Sequence, residues 1–281
     1  MLKELYRFFN PRFQNLFLDY KVNKQPRYGH GKPPHHELNT LIQANENTYQ
    51  GNLEKVSKYY DQLSQIKNSD NETSNSAPTW NNEFLPGLDI VMLYTMVSEY
   101  QPKNYIEIGS GNSTKVVRKA IEDNNLSTQI ISIDPYPRAE IDEISDVIHR
   151  TPFEDLDLDL ISQLGENDIL FIDNSHRIFP NSDSMVFFME VLPKLKKGVI
   201  VQVHDIYLPF DYPQFMCDRF YSEQYGLALF LLLNPKKYET IMPNYYVSET
   251  QGLSNALDDF WNVLPFKVEK HGGSYWIRIT E

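Results

Sequence analysis

The sequence predicts an α/β protein with a doubly wound, mostly parallel sheet of seven strands, preceded by an N-terminal helical extension. Apolar runs and helical patterns alternate between residues 89 and 205, which is typical of parallel strands joined by crossover helices. The apolar runs are almost continuous, so both faces of the predicted sheet are buried. Two final strands with a helix beside them favour an antiparallel edge.

The individual elements follow in chain order. A helix over "DIVMLYTMVSEY" precedes the strand "NYIEIG", the helix "STKVVRKAIEDN" and the strands "QIISIDP" and "DVIHR". A helix over "LDLDLISQLG" leads to the strand "DILFIDNS". The helix "SDSMVFFMEVLPKLKKG" is expected to close at Gly198, ahead of the strand "VIVQVHD". Helices over "YSEQYGLALFLL" and "GLSNALDDFWNVL" and strands near Tyr238–Met242 and Ser274–Thr280 complete the prediction.

Residues 1–78 are predicted to form the helical extension and a linker, and residues 79–281 the main domain. Two amphipathic helices are predicted around Pro11, with apolar faces formed by Leu2, Leu5, Phe8 and Phe9 and by Phe13, Leu16, Phe17 and Tyr20. The segment from Met1 to His36 is basic, with Lys3, Arg7, Arg12, Lys21, Lys24, Arg27 and Lys32 against Glu4 and Asp19. We favour packing of the aromatic residues on the main domain. The alternatives are contact with an anionic membrane surface or with a partner, including a homodimer.

The rest of the extension is less regular. The segment Lys24–His36 is rich in Pro, Gly and His and is predicted to be irregular, either folded over a pocket or a solvated connector. A further helix is predicted over Glu37–Gln65, followed by a flexible polar loop over Lys67–Ala77.

The composition excludes some function classes. The 281 residues are 41% hydrophobic and 23% charged, as in ordinary globular proteins, and the formal net charge is -12. General nucleic-acid binding is not expected, because displacing counterions needs a basic surface. Cys217 is the single cysteine, and no apolar run approaches the roughly 20 residues of a transmembrane segment. A reducing, cytoplasmic location is therefore expected.

The stretch "EIGSGNST" after the first predicted strand suits a ligand-binding turn. Gly109 and Gly111 permit a tight turn and close approach of a ligand, and the next helix offers free N–H groups. Thr114 stands where a dinucleotide-binding turn has its third glycine, and the lysine of a phosphate-binding loop is absent. Glu107 is expected to attract a cationic ligand and to repel a pyrophosphate.

In these residues the chain resembles the class I S-adenosylmethionine-dependent methyltransferases, whose Rossmann-like fold carries an acidic residue and G-x-G in its first motif. The resemblance covers the chain from Trp80 to Glu281. It is closer to an uncharacterised bacterial group of methyltransferases that share "PRAEID", "DILFIDNSH" and "VHDIYLPFDYP". The resemblance implies S-adenosylmethionine as the cofactor.

The resemblance also implies the cofactor contacts. Asp134 would bind the ribose hydroxyls, since a carboxylate accepts hydrogen bonds from two vicinal hydroxyls. Phe153 would stack on the adenine, with Glu154 or Asp155 accepting from its amine. The complete implied set is Glu107, Gly109, Ser110, Gly111, Ser113, Asp134, Phe153 and Asp173.

Two histidines and two carboxylates follow the later strands, and we expect them to be catalytic: Asp173, His176, His204 and Asp205. Methyl transfer to a hydroxyl requires positioning of the nucleophile and removal of its proton. In one mechanism His204 or His176 is the general base, oriented by Asp205 or Asp173. In the other, borrowed from metal-dependent O-methyltransferases, Asp173, His204 and Asp205 bind a divalent metal. His204 stands where those enzymes place an oxygen ligand, which argues against magnesium, so we favour the metal-free base.

The acceptor is expected beside the aromatic segment Ile206–Phe215. Tyr207, Tyr212 and Arg177 are its candidate contacts, while packing of this loop against the N-terminal helices is the alternative. The predicted function is O-methylation of a small molecule or glycan. Two alternatives stay open: hydroxylase-like chemistry on the same fold, as in relatives of cephalosporin-biosynthesis proteins, and a non-catalytic binding module.

Overall fold

The computed structural model describes residues 2–11, 13–137 and 139–281. Its helices are α1 (Leu2–Phe9), α2 (His36–Gln43), α3 (Glu46–Lys55), α4 (Tyr60–Ser64), α5 (Gly87–Tyr100), α6 (Asn112–Asp123), α7 (Asp159–Ser162), α8 (Asp183–Val186), α9 (Gln214–Cys217), α10 (Glu223–Leu233), α11 (Asn244–Glu249) and α12 (Asp258–Val263). Arg12, which counts toward the basic segment, and Arg138, which belongs to the motif "PRAEID", lie outside the described residues, as do the side chains of residues 2–4.

The described residues form two sheets. The strands are β1 (Lys67–Asn68), β2 (Thr79–Trp80), β3 (Asn104–Ile108), β4 (Gln129–Ile133), β5 (Val147–His149), β6 (Ile169–Ile172), β7 (Ile200–Val203), β8 (Tyr238–Pro243) and β9 (Tyr275–Ile279). The large sheet has seven strands in the order β5-β4-β3-β6-β7-β9-β8, and β1 pairs with β2 alone. Only β9 runs antiparallel to its two neighbours, β7 and β8. The predicted mostly parallel sheet with an antiparallel edge is confirmed.

The topology fixes where a ligand site can form. The chain order reverses between β3 and β6, which are adjacent and parallel. Ligands bind at such a switch point, outside the carboxyl ends of the strands. All side chains of β6 and β7 are buried, as the continuous apolar runs predict. The carboxyl ends of β3, β4, β6 and β7 therefore carry the candidate functional residues.

The predicted helix over Glu37–Gln65 is wrong as a single element. Helices α2 and α3 are separated at Ala44–Asn45, and a 3-10 turn over Val56–Tyr59 precedes α4. The breaks let the segment pack on the sheet edge, where Asn52 Nδ2 donates to the Ile241 carbonyl over 2.9 Å. These helices share one hydrophobic core with the sheet. The boundary after residue 78 stays a prediction.

The predicted helix over "SDSMVFFMEVLPKLKKG" is also shorter than expected. Helix α8 continues as one turn of π-helix over Phe187–Val191 and a 3-10 turn over Leu192–Lys194. Pro193 lacks an N–H group and cannot continue an α-helix, so regular helix does not extend through "KLKKG" as predicted. Gly198 instead has φ +88° in the turn that leads into β7.

The N-terminal segment differs most from the prediction. Helix α1 is present, but the predicted helix through Phe13, Leu16, Phe17 and Tyr20 is wrong, because residues 13–20 form no helix. Their side chains and those of residues 5–9 are exposed, so the favoured packing on the main domain is not observed for these residues. Pro11 prevents continuation of α1. Among the residues that the structure describes, no helix is long and apolar enough to span a membrane.

Candidate active site

The turn after β3 brings the backbone into close contact with the end of β6. Gly109 has φ +82°, and a Cβ atom at this position would lie 2.0 Å from the carbonyl oxygen of Asp173. The turn therefore requires glycine here. At Gly111 a Cβ atom would meet nothing within 4 Å, so the space beside it is open. The N–H of Gly111 donates to Thr114 Oγ1 over 3.1 Å at the start of α6.

The buried side chain of Glu107 stabilises this turn through hydrogen bonds. Its Oε1 accepts hydrogen bonds from Ser132 Oγ over 2.7 Å and from Thr114 Oγ1, and its Oε2 accepts from Ser113 Oγ over 3.2 Å. Burial raises the pKa of Glu107 to about 7, although these hydroxyls lower it. The side chain has no exposed surface. In this conformation the carboxylate supports the turn, and its contact with a cationic ligand stays a prediction.

A first cavity of about 380 Å³ lies at the carboxyl ends of β3, β4 and β6, and we call it the Asp134 cavity. Its lining includes Gly109, Ser110, Asp134, Phe153 and Asp173, all of them predicted cofactor residues. The side chain of Asp134 is fixed, because its Oδ2 accepts from the Ser110 N–H over 2.9 Å and its Oδ1 from a second backbone N–H over 2.7 Å.

Two further cavities share lining residues with the first. A narrow cavity of about 50 Å³ is lined by residues 110–113, Phe171, Asp173 and His204 among others. A larger one of about 470 Å³, which we call the His cavity, is lined by Asp173, His176, His204, Asp205 and Tyr207 among others. Asp173 lines all three cavities, and His204 lines two of them. The structure thus brings most predicted site residues to three adjacent cavities.

His204 is held by a carboxylate that the sequence analysis did not identify. Its Nε2 lies 3.3 Å from Asp89 Oδ2, and Asp89 is fully buried at the start of α5. Asp89 also accepts from the N–H groups of Gly273 and Ser274 and from Asn244 Nδ2. Burial lowers the pKa of His204, but the nearby carboxylates outweigh it and raise this pKa to about 10. For Asp89, burial raises the pKa, yet its partners hold it below the ordinary value.

His176 is held in the same way by a second buried carboxylate. Its Nδ1 lies 3.2 Å from Glu223 Oε2 at the start of α10, and its ring stacks on Tyr221 with the centroids 4.6 Å apart. Burial lowers the pKa of His176, but Glu223, Asp173 and Asp205 raise it above the ordinary value overall. Burial raises the pKa of Glu223 to about 7, which the bond to His176 partly counteracts.

Asp173 and Asp205 lie between the two imidazoles. Asp173 Oδ1 is 3.6 Å from His176 Nε2 and 3.8 Å from His204 Nδ1. The two oxygens of Asp205 are each 3.6 Å from one of the same nitrogens. In each histidine, therefore, one ring nitrogen lies beside a buried carboxylate, and the other faces both Asp173 and Asp205. This arrangement favours protonated imidazoles at neutral pH and orients both rings firmly.

The two buried carboxylates that contact the histidines, Asp89 and Glu223, stand in a sequence context that is ambiguous. Asp89 and Glu223 stand at the start of strongly apolar helices. An acidic residue in a first turn is common because it complements the helix dipole. The sequence therefore gives no indication that these two carboxylates point inward, toward histidines on other strands.

Two of the predicted acceptor contacts are not at the cavity. Tyr212 is fully buried and its hydroxyl accepts from the Gln224 N–H over 3.0 Å, so its contact with an acceptor stays a prediction that this conformation does not favour. The Arg177 guanidinium group donates to the carbonyls of Arg219 and Ser175 and lies over the Tyr221 ring, so it contacts the His cavity only through that ring. Tyr207 lines the His cavity, and its contact with an acceptor stays a prediction.

The metal alternative concerns the same residues. Among the described residues, no group of three or more His, Cys, Asp or Glu side chains is arranged to hold a metal ion. Asp173, His204 and Asp205 are close together, but their nearest contacts are the ion pairs given above.

Comparison with known proteins relates part of the chain to a protein family. Residues 106–206 match the family model described as a methyltransferase domain. No curated protein matches the chain at a significant level. Among solved structures, an SAH-bound methyltransferase from Podospora anserina is similar, with 15% identity, coverage of 68% of this chain and 78% of that one, and a TM-score of 0.41. An O-methyltransferase from Bacillus cereus in complex with SAH has 14% identity, coverage of 82% and 91%, and a TM-score of 0.38.

At such identities and TM-scores these two structures support no statement about substrate or mechanism. The family match contains the turn at Gly109, the ribose candidate Asp134 and both strand ends that carry the histidines. Residues 106–206 thus match the model of a methyltransferase domain, in agreement with the resemblance to the class I S-adenosylmethionine-dependent methyltransferases.

Proposed function

We propose that the protein transfers a methyl group from S-adenosylmethionine to an oxygen atom of a small molecule or glycan. The observation that carries this proposal is the run of three cavities that meet at Asp173. One end of this run contains the residues suited to adenosine. The other end contains two oriented histidines and two carboxylates. This is the order in which a methyl donor and its acceptor have to be arranged.

The residues fit the cofactor in two respects. Ser110 Oγ and Asn174 Nδ2 belong to residues that line the Asp134 cavity, and these buried atoms have no hydrogen-bond partner among the described residues. Buried polar atoms of this kind are expected to pair with a ligand or water. The open space at Gly111 leaves room beside the backbone. When bound, S-adenosylmethionine supplies a methyl group on a positively charged sulfonium.

His204 is the general base in this proposal, because it lines both the narrow cavity and the His cavity. The Nε2 atom of His204 lies beside Asp89, and its Nδ1 atom is the one that faces Asp173 and Asp205. The raised pKa of about 10 means that the imidazole has to lose its own proton before it accepts another. A positive charge in the narrow cavity would favour that loss by repulsion.

The lining of the His cavity supports a hydroxyl-bearing ring as the acceptor. Phe84 and Phe215 are exposed aromatic residues on its rim, and Asp173 and Asp205 lie deeper in the cavity. Aromatic faces pack against sugar and phenol rings, while carboxylates accept hydrogen bonds from hydroxyls.

The first prediction concerns cofactor affinity. Replacing Asp134 with alanine is expected to weaken S-adenosylmethionine binding by about 1–3 kcal/mol, the usual cost of leaving buried partners without a hydrogen bond. Titration calorimetry measures this directly, and Asp142→Ala, at an exposed carboxylate, is the control. An unchanged affinity for Asp134→Ala would contradict the ribose role. If the unmodified protein does not bind at millimolar ligand, the whole proposal fails.

The second prediction separates chemistry from binding. His204→Ala is expected to lose turnover while it retains cofactor affinity, because the ring removes a proton and contributes little to binding. In the unmodified enzyme kcat/KM should rise with pH from 7 toward 10, since only the deprotonated ring accepts a proton. A flat profile would exclude His204 as the base. Loss of activity after exhaustive chelation in metal-free buffer would favour the metal alternative.

A further inference from the structure

We propose that the protein docks on anionic lipid membranes through a surface formed by its N-terminal segment and the outer face of α10. This inference is independent of the methyl-transfer proposal. We call this surface the docking face. It comprises the exposed apolar residues between Leu5 and Val22, the residues Tyr225, Leu229 and Leu233, and the cations Lys24, Arg27 and Lys32.

The first argument is the concentration of exposed apolar side chains. Ten of them lie within the first 22 residues: Leu5, Tyr6, Phe8, Phe9, Phe13, Leu16, Phe17, Leu18, Tyr20 and Val22. Phe9 is 76% exposed and Phe17 is 77% exposed. Their rings contact one another locally, as in the edge-to-face pair of Phe8 and Phe17 at 6.3 Å. Such a cluster marks an interaction site, since single exposed residues are common but contiguous groups are not.

A second segment of the chain adds to the same face. On α10, Tyr225, Leu229 and Leu233 are spaced by four residues, so they form one stripe along the helix. All three are exposed, and Leu233 reaches 82%. Helix α10 has no charged residue after the buried Glu223. Tyr225 also contacts the fold, because its hydroxyl donates to Asp211 Oδ1 and its ring lies 5.9 Å from that of Tyr212, while Leu229 and Leu233 keep more than half of their surface exposed.

A cavity joins the two segments. Its volume is about 750 Å³, and its lining includes residues 23 and 25–28 from the N-terminal segment together with Tyr225, Leu229 and Leu232. The irregular segment 24–36 is firmly attached here, because the His35 N–H donates to the Pro209 carbonyl and the Arg27 N–H to Asp211 Oδ2. The N-terminal aromatic residues therefore leave the domain next to the α10 stripe.

The charge of this region selects the occupant. The chain has a net charge of -12, yet Arg7, Lys21, Lys24, Arg27 and Lys32 are concentrated in its first 36 residues. Arg27 and Lys32 line the joining cavity. Basic residues beside exposed Phe, Tyr and Leu are the combination that binds the interface of an anionic bilayer, each cation near the surface adding to the attraction.

The attached segment also links this face to the active site. Its contacts are to residues 209–211, which follow Tyr207 of the His cavity. Docking would therefore place the aromatic segment Ile206–Phe215 close to the lipid surface.

Co-flotation of the full chain with vesicles tests the docking face. We expect binding to vesicles that contain phosphatidylglycerol, little binding to phosphatidylcholine alone, and weaker binding in high salt. Phe9→Ser combined with Phe17→Ser should weaken binding at least about tenfold, and so should Leu229→Ser combined with Leu233→Ser. Met189→Ser and Val263→Ser, at apolar residues 70% and 67% exposed elsewhere, should bind as the unmodified protein does.

Three results would overturn the proposal. One is that the protein floats neither with vesicles that contain phosphatidylglycerol nor with vesicles of phosphatidylcholine alone. Another is equal flotation with both, because the basic residues would then have no part in it. The third is a dimer in light scattering that the Phe9 and Phe17 changes dissociate while vesicle binding is absent, since a second copy of the chain would then cover the face. Unchanged circular dichroism and thermal unfolding of each variant exclude misfolding as the cause.

Discussion

Replacing Gly109 with alanine is expected to lower the free energy of unfolding by about 2–4 kcal/mol. A methyl group there would lie 2.0 Å from the Asp173 carbonyl oxygen, and the backbone has φ +82°, which alanine rarely adopts. Rotation of a side chain cannot relieve the steric clash or the unfavourable φ angle, because the clash is with the backbone that follows β6. Urea unfolding followed by circular dichroism measures the loss.

Gly111→Ala is the matched control, two residues away in the same turn. A Cβ atom at Gly111 meets nothing within 4 Å, so the stability of this variant should change by less than about 1 kcal/mol. The added methyl would enter the space beside the narrow cavity, so cofactor affinity should fall instead. If both variants lose the same stability, the close contact at Gly109 does not control the turn.

Replacing Asp89 with asparagine is expected to cost about 3 kcal/mol of folding free energy, as removal of one partner from a buried ion pair does. His204 would lose the carboxylate at its Nε2 side, and the N–H groups of Gly273 and Ser274 would lose a charged acceptor. Asp168→Asn is the control, because Asp168 is also buried and accepts backbone N–H groups but contacts no histidine.

The pH dependence distinguishes the two variants. The raised pKa of His204 gives stability that is complete below its ordinary value of 6.5 and is lost as the pH rises through about 10. The lowered pKa of Asp89 gives stability above its ordinary value of 3.8 that is lost at lower pH. The cost of Asp89→Asn should therefore be larger at pH 6 than at pH 9.5. The cost of Asp168→Asn should not show this decrease.

The same substitution changes catalysis in a defined direction. Without Asp89 the pKa of His204 should fall, so the rise of kcat/KM should move to lower pH. A variant that loses activity equally at every pH would show that Asp89 has only a structural role. Measurement of the profile between pH 6 and 10 is sufficient for this test.

The sheet could be predicted from the sequence because each strand is encoded by a local run of apolar residues. The apolar runs around Ile106, Ile131 and Leu170 are almost continuous, and the register pairs them in the sheet centre. The end of each strand then places Asp134, Asp173 and His204 at one edge, so most of the site follows from topology alone. The break between α2 and α3 could not be predicted, because it depends on packing against β8, about 190 positions later in the chain.

Side-chain direction was the other limit. Tyr212 stands in an aromatic loop beside the mouth, and its residue type does not reveal that its hydroxyl is buried against Gln224. Glu107 likewise turns to three hydroxyls below the turn. Asp89 and Glu223 resemble ordinary first-turn acids, although each orients a histidine. These directions depend on contacts between distant segments, and one sequence carries no record of such contacts.

The contact between Gly109 and Asp173 has a consequence for how this site can change. The backbone of Asp173 lies against the turn at Gly109, and the same residue lines both the Asp134 cavity and the His cavity. Any shift of this residue moves both halves of the site together. Changes in donor affinity and acceptor preference should therefore be energetically coupled, so that substitutions selected for a new acceptor have strongly non-additive effects on cofactor affinity.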